Sequence, residues 1–555
     1  MGKQTTSINL FRYHLVRVAL VLLCGVLIAR VLMLHTVKRD FLQGQGDART
    51  VRTEKIFAHR GMIQDRQGKP LAISSPVGSV WADPKELIKS EDDLAALALS
   101  LGVEVATFEN RLLLNQDRDF IYLRRHLPPL QVDKILSLAV AGVYVQREYH
   151  RFYPAGEVAA QVLGFTNIDD EGQEGLELAF DDWLRGTPGK KKVLKNRYGQ
   201  IVRDIKPLED AEAGRTLALS LDLRVQYHAY RELKTAMQRY KAESGSIVIL
   251  DVENGEVLAM VNQPSFNPND RSSLEAAFVR NRAVIDLFEP GSTVKPFTLA
   301  VALQSGKYTP HTKIDTAPIR VNNKMISDPS NLGVLDVASV ISKSSQVGIT
   351  KIALSLNEQD MWNMFHELGL GETTGAGFPG ESAGYLPNRR NWNDIERATF
   401  AYGYGLSVTP LQLARAYLVI ASGGVKKQIS LVKRSVRQTQ RVLDEKVAAQ
   451  VLQILKRVVT EGTGRRAKVD SYTVAGKTGT VRKVGSSGYV TDHHLAFFVG
   501  VTPVEHPRLV AVVLINDPKS DEFGGGSIAA PVFSRVMAGA LRLLNVPPDD
   551  FKKAA

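Results

Sequence analysis

From Val18 to Leu34 the chain is apolar apart from Arg30, with Arg12 and Arg17 before this run and Lys38 and Arg39 after it. A run of this length is at the short end of what a bilayer-crossing helix needs, and an arginine near one end can snorkel to the interface. A cleaved leader would show small residues at a cleavage point, and Ile28-Ala29-Arg30-Val31 is a poor one. A helix buried in a soluble core is not usually apolar all round. The pattern predicts a retained membrane anchor. Basic residues on both flanks leave its orientation open.

Beyond the anchor the periodicity is mixed to about residue 215, with glycine turns at Asp65-Arg66-Gln67-Gly68 and Tyr153-Pro154-Ala155-Gly156 and a basic stretch at Gly189-Lys190-Lys191-Lys192. The pattern then sharpens. Asp222 to Tyr240 reads as a helix, Ser246 to Leu250 as a buried strand, Glu253-Asn254-Gly255 as a turn and Val257 to Val261 as the return strand. Asn-Gly between two apolar runs is a strong hairpin signal. Helical patterns fill roughly 290–460, and the last places Val447, Val451, Leu455 and Val458 on one face. Strand-like runs resume at Tyr472–Ala475, Leu495–Val501 and Leu509–Ile515, before a closing helix from about Pro531 to Leu544. Strands at both ends with helices between them predict one α+β domain whose sheet joins early and late segments.

Composition changes this picture little. A chain of 555 residues is too long for one ordinary core, so two or three domains are expected. The formal net charge of +12 reads either as a solubility surface or as attraction to an anionic partner such as a membrane or acidic polymer. Nucleic acid is disfavoured: there is no zinc spacing, no aromatic-basic recognition motif and no dense Lys/Arg run. The single cysteine, Cys24, lies in the apolar segment, which excludes an intrachain disulfide and makes a thiolate nucleophile implausible. No metal site is expected either, because HExxH and CxxC are absent and His493-His494 are adjacent rather than on one helical face.

The candidate chemistry begins at Glu289-Pro290-Gly291-Ser292-Thr293-Val294-Lys295. Residues i and i+3 share a helix face, so the Lys295 amine is within reach of the Ser292 hydroxyl, the minimum equipment for serine acyl transfer without histidine. A serine–lysine pair at this spacing is weak alone, and Ser430-Leu431-Val432-Lys433 is a second match. That second pair sits in a basic, strand-like stretch with no helix start before it. Ser292 follows a turn, and the apolar run Phe297, Leu299, Ala300, Ala302 and Leu303 follows it. Pro296 is tolerated only near a first helical turn, which places Ser292 at a helix N-terminus, where backbone N–H groups favour developing negative charge.

Two further pieces follow in order. Gly476-Lys477-Thr478 resembles the end of a phosphate-binding loop, but that motif needs glycine at position 471, which is serine. Read instead as a strand, Lys477-Thr478-Gly479-Thr480 offers a cation and hydroxyl donors beside a glycine that admits a ligand closely, which suits a carboxylate. The alternative is an ordinary edge strand. Ser344-Ser345-Gln346 lies between, and Ser355-Leu356-Asn357 is an incidental match at a helix end.

The ordered set resembles the signature of the penicillin-binding protein and serine β-lactamase superfamily. Arg60-Gly61 through Asp65-Arg66-Gln67-Gly68, Arg151-Phe152-Tyr153-Pro154, Gly164 and Gly172-Gln173-Glu174-Gly175-Leu176-Glu177 resemble the motifs of the class B non-catalytic module. Glu396-Arg397-Ala398-Thr399-Phe400 and Tyr404-Gly405-Leu406-Ser407-Val408-Thr409-Pro410-Leu411-Gln412 resemble the septal subfamily. The chain is thus similar, over nearly its whole length, to division-specific class B high-molecular-weight penicillin-binding proteins. That resemblance implies a cytoplasmic tail and transmembrane anchor over 1–40, an elongated pedestal (dimerisation-type) module over 41–215, a transpeptidase domain with an antiparallel sheet flanked by helices over 216–546, and a tail over 547–555. It also implies a single-pass inner-membrane protein with its catalytic domain in the periplasm at the septum.

Carried over position by position, Ser292 would be the acylated nucleophile and Lys295 its base, provided burial and Lys477 keep that amine neutral. Ser344 would relay a proton to the departing D-alanine. Lys477, Thr478 and Thr480 would hold the donor peptide's terminal carboxylate, with Gly479 admitting it closely, and the N–H groups of Ser292 and Thr480 would form the oxyanion hole. No cofactor is implied. The implied partners are peptidoglycan stem peptides on lipid-linked or nascent glycan strands, β-lactams as covalent ligands, the septal glycosyltransferase and other division proteins. One residue departs from the family pattern: Gln346 stands where asparagine is expected, one methylene further out. Two other readings are a β-lactam hydrolase, which needs a water-activating carboxylate and fits poorly with the anchor and long first module, and a division scaffold made weakly active or inactive by Gln346.

Overall fold

The computed structural model describes residues 10–90, 93–195, 201–272, 274–388, 392–433, 438–485 and 488–550. The short tail before residue 10 and residues 551–555 of the expected C-terminal tail lie outside them. Leu10–His35 forms one helix of 26 residues with no buried side chain. At about 1.5 Å per residue it is roughly 39 Å long, enough to cross a bilayer. Among the described residues it is the one helix long and apolar enough to do so, and it fits a single-pass membrane anchor. It extends beyond the predicted Val18–Leu34 because helical backbone continues through the polar flank.

The described chain packs into two compact units. The first comprises residues up to 59, 76–149 and 186–213. One core in it gathers Val80, Leu97, Leu101, Phe108, Leu112, Leu123 and Ile135. Gly189–Lys195, which contains the basic stretch, is the middle strand of a three-stranded antiparallel sheet with Val51–Ile56 and Ile201–Glu209. Three of its lysines are paired across that sheet, Lys190 with Glu209 at 3.0 Å, Lys191 with Asp204 at 3.0 Å and Lys195 with Glu54. The charge of the stretch is thus largely offset by acidic partners on its two neighbouring strands.

The second unit comprises 60–75, 150–185 and the chain from 214 onward. Here the three sequence motifs of the first module meet. Glu177, fully buried, accepts from Arg60 Nε at 2.8 Å and from Arg151 Nε at 2.7 Å, while Arg60 also donates to Asp181 at 2.7 Å. Gly164 adopts φ of 75°, and a Cβ there would lie 1.8 Å from the Glu174 carbonyl oxygen, so only glycine fits beside the segment leading to Glu177. Removing one member of a buried ion network strands the others. Glu177→Ala is expected to destabilise this unit by about 3–5 kcal/mol, read as a lower urea midpoint.

The unit's framework is a five-stranded antiparallel sheet in the order Val257–Gln263, Ser244–Asp251, Leu509–Asn516, Gly488–Thr502, Ala475–Gly485. Early and late strands lie side by side, as the pattern predicts. Strand alternation sends Val248, Leu250, Phe497, Val499 and Val512 into one core, and Ile247, Ile249, Phe498 and Val513 into the other. The first face receives the helices Pro410–Ala421 and Glu445–Thr460, the second Leu223–Tyr240 and Ala529–Leu543. Asp222 caps the first of the latter pair by accepting from the Arg224 N–H. The predicted strand at Tyr472–Ala475 starts only at Ala475, because Ser471 takes φ of 67° and Tyr472 closes a turn with Val469.

Candidate active site

Three elements bring the candidate residues together. Gly291–Val294 is a 3-10 turn running directly into the helix Lys295–Gln304, so Ser292 sits one turn before the α-helix itself. The turn is fixed from both sides: Gly291 N–H donates to the Gly403 carbonyl at 3.0 Å, and Tyr417 O–H to the Thr293 carbonyl at 2.7 Å. Pro296 lies in the helix's first turn, where its missing N–H costs nothing. Ser344 precedes the helix Gln346–Ser355 and holds φ of 62°, a conformation uncommon for a residue with a Cβ. The third element is the sheet's edge strand, Ala475–Gly485. Gly479 pairs with Phe497, and a Cβ there would lie 2.1 Å from that ring. Glycine lets the edge strand lie flat on the aromatic floor.

Ser344 Oγ is the meeting point. It accepts from Lys295 Nζ at 3.1 Å and Lys477 Nζ at 3.0 Å, and lies 3.2 Å from Ser292 Oγ, to which it donates. Lys295 also donates to the Ser344 carbonyl at 2.6 Å. The direct Lys295–Ser292 contact expected from the spacing is thus replaced by a link through Ser344, because the lysine amine is drawn toward that carbonyl. Both amines are fully buried while Ser292 and Ser344 are half-buried and reachable. Burial brings Lys295 down to about 7, with Asp328 opposing the fall. Burial and then the neighbouring Lys295 hold Lys477 well below the ordinary lysine range.

Thr478 Oγ1 lies 2.9 Å from Thr463 Oγ1, and Thr480 Oγ1 accepts from Gly525 N–H at 2.9 Å, which leaves the exposed Thr480 hydroxyl proton to donate. Gln346 occupies the first turn of its helix, half-buried, and its side-chain amide has no hydrogen-bond partner among the described residues. The Ser430–Lys433 pair is elsewhere: Ser430 is buried, donates to the Val432 carbonyl at 2.6 Å and is bridged to Glu256.

Sequence reasoning missed two features. Asp328 accepts from Ser345 Oγ and from Gln346 N–H, each at 2.5 Å. Its only local mark is an Asp-Pro turn signal 16 residues ahead of Ser344 (344 − 328), with no spacing cue. A rim cavity of about 380 Å³ is lined by Tyr404, Thr480, Val481, Arg482, Tyr489, His494 and Phe523. Tyr489 there donates to Glu289 at 2.8 Å.

A half-buried serine, a buried amine near neutrality and a second lysine on a sheet edge have the chemistry that serine acyl transfer with a lysine base requires. Residues 245–538 match the penicillin binding protein transpeptidase domain, and residues 55–219 the penicillin-binding protein dimerisation domain. The chain is 42% identical over 546 residues to peptidoglycan D,D-transpeptidase FtsI of Escherichia coli K12, covering 97% of this chain and 93% of that protein. It is 39% identical to the probable peptidoglycan D,D-transpeptidase PbpC of Pseudomonas aeruginosa, covering 98% and 97%. Penicillin-binding protein 3 of Mycobacterium tuberculosis in complex with aztreonam superposes with a TM-score of 0.70 at 26% identity, covering 89% and 98%. The chain belongs to the class B penicillin-binding proteins of the FtsI type.

Burial sets the Lys295 amine to titrate at about 7. Below it the amine is protonated and cannot act as a base. Acylation by a penicillin is therefore expected to rise with pH through about 7 and to fall about tenfold per unit well below it, measured as second-order rates between pH 5 and 9.

Proposed function

We propose that this protein is a peptidoglycan D,D-transpeptidase that cross-links stem peptides of the septal wall through a Ser292 acyl-enzyme. The observation that carries the reading is the convergence of Lys295, Lys477 and Ser292 on Ser344 Oγ. Ser292 Oγ attacks the carbonyl of the penultimate D-alanine, and its proton passes by way of Ser344 Oγ to the neutral Lys295 amine. The oxyanion is met by the N–H groups of Ser292 and Thr480. The C–N bond breaks, Ser344 returns the proton to the leaving amine, and D-alanine departs. An amine of a second stem peptide then attacks the ester, and Ser292 leaves with its proton restored. Lys477, Thr478 and Thr480 hold the donor's terminal carboxylate, with Gly479 letting it approach. β-Lactams acylate the same serine.

The Leu10–His35 helix and the FtsI-type family support a periplasmic catalytic unit at the division septum, working with the membrane-embedded glycosyltransferase and other division proteins. Gln346 keeps the amide chemistry of the family's asparagine, and its free amide is available to a donor backbone. Labelling of the full chain in detergent by a fluorescent penicillin tests this reading. Wild type is expected to label, and Gln346→Asn to change the rate by about tenfold or less, in line with one displaced hydrogen bond. A silent wild type beside a strongly labelled variant would show that glutamine had disabled the site.

A further inference from the structure

Asp328 follows the short hairpin Ile319–Val321/Lys324–Ile326 and reaches the start of the Gln346–Ser355 helix. Its Oδ2 accepts from Ser345 Oγ at 2.5 Å; its Oδ1 accepts from Gln346 N–H at 2.5 Å and, more weakly, from Val347 N–H at 3.4 Å. Ser345 Oγ in turn accepts from Gly348 N–H at 2.9 Å. The first three N–H groups of the helix, which have no partner within it, are thus all met by these two side chains. The residue just before them is Ser344, whose left-handed backbone persists only if its surroundings over-determine it. On its other side the chain is tied by Ser344 N–H to the Ile341 carbonyl and by Ser345 N–H to the Val340 carbonyl.

We propose that Asp328 is a positioning residue for the acyl transfer: through Ser345 and the Gln346 amide it holds the turn that sets Ser344 Oγ between Ser292 and the two lysines. The inference rests on the Ser292–Lys295–Ser344 reading above. Among the described residues the charged groups around Lys295 are Lys477 from the edge strand and Asp328 from this loop. One is a like charge and one an opposite charge. Removing the carboxylate charge removes the influence that opposes the effect of burial on Lys295, so the amine gives up its proton at lower pH.

Two variants separate geometry from charge. Asparagine retains an oxygen for the helix N–H groups and lacks the charge; alanine lacks both. Second-order acylation by a fluorescent penicillin is measured from pH 5 to 9 on the full chain, beside thermal melting. Asp328→Ala is expected to lose about a hundredfold in rate, as a displaced catalytic hydroxyl does, with its melting transition retained. Asp328→Asn is expected to react faster than Asp328→Ala and to show its acidic limb displaced to lower pH than wild type. A purely structural cap would not move that limb. Wild-type rates and an unshifted profile in both variants would overturn the inference. So would an Asp328→Ala loss that only follows lost melting, together with an unshifted Asp328→Asn profile. Labelling of Ser292→Ala would instead overturn the site reading on which it rests.

Discussion

Ser292→Ala is expected to abolish covalent labelling by penicillin, while Ser430→Ala labels as the parent does. The two serines share the same spacing to a lysine, but only one has a buried amine within reach of its hydroxyl network. Losing a nucleophile costs on the order of 10⁵–10⁶ in rate, because no neighbouring group inherits its role. Ser344 is not expected to substitute for it, since both lysine amines donate to its oxygen. The measurement is intact mass before and after incubation with a penicillin. A mass increase in Ser292→Ala would move the nucleophile elsewhere. The same variant distinguishes an enzyme from a scaffold: if it sustains division in cells depleted of the native protein, acyl transfer is not what the cell needs from this chain.

Lys295→Arg is the second large effect. A guanidinium keeps the positive charge and much of the length, but it does not deprotonate in a protein. The base would be lost with the cavity still filled. The expected fall in acylation is about 10⁴-fold or more, equivalent to about 5.4 kcal/mol at the transition state. Raising the pH to 9 is expected to recover nothing, whereas wild type gains as Lys295 is deprotonated. A variant that regains rate with pH would show that the general base is another group.

Much of this was legible in the chain. Asn254-Gly255 marks a hairpin because few other residue pairs accept that turn, and both flanking strands are where the apolar runs lie. Pro296 marks a helix start for an equally local reason. Lys477 to Thr480 could be read as a strand once serine at position 471 ruled out a phosphate-binding loop. The sheet's strand order was harder, since pairing between Ser244–Asp251 and Leu509–Asn516 spans more than half the unit and leaves no local mark. Two misreadings have the same origin. The apolar residues of Tyr472–Ala475 resemble a strand, yet a left-handed Ser471 turns the chain first. Lys295 lies at helical spacing from Ser292, yet a carbonyl contributed by Ser344 captures its amine. Contacts set by another element cannot be read from spacing within one, and Asp328 was invisible for that reason.

Among the described residues the strand bearing Lys477 has a neighbouring strand on one side only. The described sheet is in that sense one strand short, and on the transpeptidase reading proposed above an extended donor peptide would supply the sixth. Recognition is then largely a matter of main chain: an extended amide ending in a carboxylate can complete the sheet whatever side chains it carries. A rigid bicyclic amide with a carboxylate at the right distance satisfies the same edge, so an enzyme that completes its own architecture with substrate is open to any compound able to imitate a strand end.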